Sequence, residues 1–142
     1  MPFYGLFLRN QLDGTSVVDF NTDVIRVSLH TVTYTPAQDT DDFFNDATNE
    51  VVGTGYTAEG IALTSPTITY DTTTDQVRLD AADVSWTTST ITARYAVVYK
   101  DSGTPTTSPL ICYFDFGSNQ STTAGTFAIN WATDGIAYID VT

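Results

Sequence analysis

One cysteine and one histidine in 142 residues leave little of the chemistry that metal centres and nucleophilic catalysis draw on. Cys112 can form no intrachain disulfide and no thiolate cage, and within the apolar run Leu110–Phe116 it reads as a buried, inert thiol. His30 has no second histidine to complete a zinc site, and nothing marks an activated nucleophile beside it. Strand parity sets His30 with Arg26 and Ser28 on a polar, solvent-facing side. Positive charge is scarce as well: 5 Lys and Arg against 17 acidic residues give −12 and a pI near 4.1. Such a chain repels polyphosphate and anionic headgroups, so nucleic acid and membrane are poor partners. No stretch approaches the roughly 18 apolar residues of a membrane span, and Arg9-Asn10-Gln11 interrupts Phe3–Leu8 where a signal peptide would continue. The chain reads as soluble and without a secretion signal. Glutamate is nearly missing too; all acidic residues except Glu50 and Glu59 are Asp, which favours turns over helices.

What is present is a core. Hydrophobic residues make up 42% and aromatics 13% of a chain whose length suits a single domain spanning 1–142. With 27 threonines, β-branched residues dominate, and the fold class is mainly β. The start is the exception: Pro2, the spacing of Phe3/Phe7 and Tyr4/Leu8/Leu12, and the Asp13-Gly14 stop predict a helix over 2–13, an N-terminal helix or arm within residues 1–14. From Val24 the chain alternates, with Ile25, Val27 and Leu29 on one face, and slips phase near Thr31. Pro36–Asn49 is a polar loop pinned by Phe43 and Phe44, with Asp39 or Thr40 capping one short helical turn. Short strands follow at Val51-Val52, Ile61–Leu63, Ile68/Tyr70, Val77/Leu79 and Val84/Trp86, the third and fourth facing each other across Asp71–Asp75. Four longer strands, 90–99, 109–116, 126–132 and 136–141, read as an antiparallel up-and-down meander. The first two are apolar on both faces and so belong between two layers. A β-sandwich or closed barrel follows.

Candidate sites for chemistry are few. The run from Asp39 to Glu50 has the length of an EF-hand loop but places Phe43 and Phe44 where a ligand and a turn glycine are required, which leaves solvated turn carboxylates. Asp80/Asp83 and Asp71/Asp75 flank turns, and Gly53-Thr-Gly55 lacks the rest of a dinucleotide fingerprint. No cofactor, metal or catalytic residue is implied, and the chain reads as a structural or binding protein, not an enzyme. If Tyr99 faces Leu110, Arg94 lies opposite Asp115, a structural pair. Trp86 and Trp131 share faces with apolar residues, which favours the core over a sugar-stacking platform and makes a carbohydrate-binding module the distant alternative.

Several stretches carry a resemblance: Asn49–Gly60, Val84-Ser85-Trp86, Ala93–Asp101 and Ser108–Gly117, with the opening Phe7–Gly14 running into Asp23–Val27. Together they resemble small proteins of the structural-gene modules of tailed bacteriophages and prophages. The resemblance implies a virion component without catalytic residues, made in the bacterial host cytoplasm. Within that class a capsid decoration (cement) protein is favoured, bound to the major capsid protein on the capsid exterior as a homo-oligomer, a trimer at local three-fold positions. A tail, baseplate or head–tail connector component is the alternative. Phe3, Tyr4, Phe7, Leu8, Phe43 and Phe44 are the expected contact segment.

Overall fold

The alternating and apolar runs after residue 24 become sheet, rich in Val, Ile and aromatic side chains that favour strands, while most of the threonines fall in the connections. The computed structural model describes residues 1–141; residue 142, the last of the expected domain, lies outside the described residues. Helix α1 (Gly5–Asp13) precedes strands β1 (Ile25–His30), β2 (Ile61–Ala62), β3 (Thr67–Asp71), β4 (Gln76–Asp80), β5 (Val84–Ser89), β6 (Thr92–Lys100), β7 (Leu110–Ser121), β8 (Gly125–Ile129) and β9 (Ala137–Asp140). These form antiparallel sheets of four (β2-β1-β6-β7), three (β3-β4-β9) and two strands (β5-β8). The mainly β, sandwich-like architecture with one short N-terminal helix is the one expected, and the buried side chains of all three sheets join one contiguous core.

The helix begins later than the spacing predicts. Pro2–Tyr4 is extended and lies against the outer edge of β7, with Tyr4 N–H donating to the Ile111 carbonyl at 3.1 Å and Tyr113 N–H to that of Pro2 at 3.2 Å. An extended arm closes an edge that a helical turn would leave bare. Gly14, with φ of +73°, ends α1 in the left-handed conformation that its Asp-Gly signal calls for.

The β3–β4 hairpin has the expected register, Ile68 opposite Leu79 and Tyr70 opposite Val77. The C-terminal strands do exist as antiparallel elements, but only β6 and β7 are neighbours. β8 pairs with β5 and β9 with β4, so the meander stops after its first hairpin. Nor is β7 central; it is the last strand of its sheet, and the start of its outer edge is closed by backbone bonds from Asp42–Phe44 and the N-terminal arm. No strand forms at Val51-Val52; Val51 makes one bond to the Leu29 carbonyl beside a lone bridge from His30 to Glu50.

The β6–β7 register starts at Tyr99 opposite Leu110 and then slips by one at Ile111, so that Val98 faces Cys112 and Tyr95 faces Asp115. A bulge of this kind shifts the alternation by one residue without unpairing the strands. A second, larger shift lies between Ala93 and Tyr95, at Arg94 itself, and there Arg94 reaches Asp115.

Candidate functional site

The expected contact residues are mostly interior. Phe3, Tyr4, Phe7 and Phe44 are buried, and Leu8 and Phe43 are half-buried. The reason is the arm: once Pro2–Tyr4 lies along β7, the first apolar turn of α1 faces the core. Tyr4 is sealed and donates to the Tyr34 hydroxyl at 2.8 Å, which donates to Asp41 Oδ2 at 2.9 Å. Burial first, and then its neighbour Tyr34, push the Tyr4 phenol far above its ordinary range. Phe44 stacks on Tyr99 with ring centroids 4.1 Å apart, and the neighbouring 3-10 turn (Phe44–Asp46) is held by Asp46 Oδ2, which accepts from the Asp42 N–H at 3.1 Å. Asp46 therefore organises this turn in place of Asp39 or Thr40.

His30 is also inside, contrary to its parity. β1 lies between β2 and β6, and the loop carrying Tyr34 and Phe44 covers its second face, with ring centroids 5.1 and 6.2 Å from His30. The imidazole Nδ1–H donates to the Thr48 carbonyl at 2.8 Å, and Nε2 accepts from Ser28 Oγ at 2.9 Å. Burial lowers its pKa to about 4, the Thr48 bond opposing. A Ser–His pair at this distance has the geometry of half a catalytic triad. Here both residues are fully buried, and none of the three described clefts is lined by either. The pair ties β1 to the covering loop.

Of the carboxylates in the Asp39–Glu50 run, Asp42 and Asp46 lie side by side, and burial, then this neighbour, raise the Asp42 pKa. Asp41 and Asp46 accept from backbone N–H groups of their own turns, and Glu50 accepts from the Tyr56 hydroxyl at 2.6 Å. Burial raises the Glu50 pKa. Among the described residues no group of three or more His, Cys, Asp or Glu side chains is placed to hold a metal ion. Burial pushes the Cys112 thiol up to about 12. No described helix is long and apolar enough to cross a membrane.

Charge is distributed with one consistent feature: each of the five basic residues is already engaged by an Asp. Arg9 lies near Asp13, Arg26 near Asp101, Arg78 near Asp71 and Asp134, and Lys100 near Asp23. Arg94 grips Asp115 in the expected pair through two bonds, the second 3.0 Å from Nη2 to Oδ2. Hydrogen bonding to Arg94 holds the Asp115 carboxyl below its usual range.

Two surface regions depart from this polar exterior. One is a cleft of about 400 Å³ where Phe114, Phe116 and Trp131 meet the start of β9. Trp131 is half-buried there, and its indole N–H donates to the Ala82 carbonyl at 3.0 Å, while Trp86 sits in the core against Tyr56 and Phe127. The other is one face of the three-stranded sheet. Register puts Ile68, Tyr70, Val77, Leu79, Ala137 and Ile139 on the same side, with Thr67, Thr69, Arg78, Tyr138 and Asp140 on the other. α1 covers only part of that apolar side and leaves a cleft of about 380 Å³ between Phe7, Leu8 and Leu12 and the strands. These residues were outside the expected contact segment. Their alternation was legible, but the pairing of β9 with β4, which widens a hairpin into a face, was not.

No protein-family model matches the chain, and neither a curated protein nor a solved structure does.

Proposed function

We propose that the chain is a non-catalytic virion structural protein of a tailed bacteriophage, a decoration (cement) protein that binds the major capsid protein on the outer surface of the head. The observation that carries this is the fate of its cations. With Arg9, Arg26, Arg78, Arg94 and Lys100 each engaged by Asp, the net −12 presents no free basic patch, and the packaged-DNA side of a shell is electrostatically closed to it. The resemblance of Asn49–Gly60, Ala93–Asp101 and Ser108–Gly117 to phage structural-module proteins supports the virion assignment. Identical copies that bridge shell subunits favour closed symmetry, here a trimer at local three-fold positions. Self-repulsion keeps the free copies apart until the shell gathers them. A tail or connector component is the nearer alternative. The carbohydrate reading is weaker, because Trp86 is core and the Trp131 indole N–H is committed to Ala82.

The test is to add purified protein to heads from particles deleted for its gene and image them. Density is expected at regular positions on the outer surface. Density at the portal, the tail or the shell interior, with the exterior bare, rejects decoration and favours the connector or tail assignment.

A further inference from the structure

The three-stranded sheet buries too little of its own apolar side. Tyr70 is 52% exposed, Val141 58% and Leu12, at the end of α1, 91%, with Ile68 and Ile139 also open. Leu12 and Ile68 line one continuous cleft with Ile139, and Val141 N–H bonds to the Asp75 carbonyl at 2.9 Å, extending the face past β9. Exposed apolar side chains gathered on one sheet face mark a docking surface in a way that scattered ones do not. The other side of the same strands is polar except for Tyr138, opposite Arg78, so most of the exposed apolar surface gathers on one face.

Charge identifies what covers it. At the hairpin end, Asp75 accepts from the Tyr70 hydroxyl at 2.8 Å. At the helix end stands Asp19, in the loop whose Asn21 side chain accepts from the Ile68 N–H at 2.9 Å. The nearby cations, Arg9 and Lys100, are taken by Asp13 and Asp23. The rim is therefore acidic around an apolar centre. A second copy would bring the same acidic rim against this one, whereas a surface with an apolar centre and a lysine or arginine rim would complement it.

We propose that this face, centred on Tyr70, Ile68 and Ile139, is the surface through which the protein docks on a folded protein partner bearing an apolar patch ringed by Lys and Arg. The inference rests on the decoration reading, under which that partner is the outer surface of the shell subunit. The polar face of the sheet then points away from the shell, and β3, the outermost strand, lies at the contact.

The experiment titrates gene-deleted heads with wild-type protein, Tyr70→Asp, Ile139→Asp and the control Thr69→Asp, which adds the same charge to the opposite face of the same strand. Circular dichroism and melting establish that each variant is folded. Tyr70→Asp and Ile139→Asp are expected to weaken binding about 30-fold or more, the loss that charging a central interface position produces, while Thr69→Asp binds as wild type. Wild-type affinity is expected to fall as salt rises, because the rim attraction is screened. If wild type decorates the heads and Tyr70→Asp and Ile139→Asp bind equally well, this face is not the docking surface although the decoration reading stands. Affinity that holds or rises with salt overturns the basic rim. Sedimentation showing a dimer abolished by Tyr70→Asp assigns the face to a second copy and overturns the inference. Failure of wild type to bind the exterior removes the decoration reading and this inference with it.

Discussion

The four-stranded and three-stranded sheets end in opposite states, and their strands differ to match: β6 and β7 carry the continuous apolar runs Ala96–Tyr99 and Leu110–Cys112, while β3 and β4 alternate strictly. In the first, β1 and β6 have both faces covered, and even the polar positions Ser28 and His30 are fully buried. In the second, β3 is exposed along nearly its whole length, on its apolar face as on its polar one. The covering differs along with the strands. Loops and the N-terminal arm wrap the four-stranded sheet with aromatic side chains, Phe44 stacked on Tyr99 and Tyr4 tilted against Tyr113, while α1 reaches only part of the three-stranded sheet. One sheet is sealed, and the other is left partly bare.

The largest effect that tests this contrast is Leu110→Ala at the sealed start of β7. Leu110 has no exposed surface, and its removal leaves a cavity in the core where β7 pairs with Tyr99, expected to cost about 2–5 kcal/mol. Chemical denaturation measures it, and a loss below about 1 kcal/mol would show that the covering segments collapse freely and that the two sheets are alike.

Acidification comes next, through the buried histidine. Its folded pKa of about 4 lies below the ordinary 6.5, so the unfolded chain takes up a proton that the folded chain refuses. The His30 contribution is then complete above pH 6.5 and is lost as pH falls toward 4, at about 2 kcal/mol by pH 5. Glu50, whose folded pKa is raised, works in the opposite sense, gaining as pH falls and losing as it rises through that pKa. His30 is the only histidine, so its imidazole proton resonance reports the site directly. It is expected to stay at its neutral position down to about pH 5, and titration near 6.5 would mean that the covering loop opens.

The smallest effect belongs to the bare face. Ile68→Ala removes a side chain that is 42% exposed, and the loss of stability is expected to be at most about 1 kcal/mol. A loss as large as that of Leu110→Ala would mean that the face is covered in the free protein, by a second copy or by a shift of α1.

Local chemistry carried much of this into view beforehand. The β3–β4 hairpin follows from two alternating runs around an Asp-rich turn, and the ion pair of Arg94 with Asp115 follows from aligning two apolar runs, although the register shifts twice, once at Arg94 itself. His30 misled because parity reports which residues share a face, not whether that face is wet. Its burial depends on a loop 18 residues away that supplies the Thr48 carbonyl. The contact segment misled for a related reason: Phe3, Tyr4 and Phe7 are apolar for the core's sake, and only the path of the arm along β7 shows it.

By itself, then, the sequence determined what nearest neighbours determine: mainly β structure, the helix stop at Gly14, the hairpins and an exterior with hardly a cation to spare. Which strands meet was decided in three dimensions, since β8 and β9 join partners far back in the chain, and a pairing of that range depends on how whole surfaces cover one another. The uncovered face is a product of that choice. Alternation made Ile68, Tyr70 and Ile139 apolar on one side, but only the docking of β9 on β4 and the short reach of α1 left that side open to a partner.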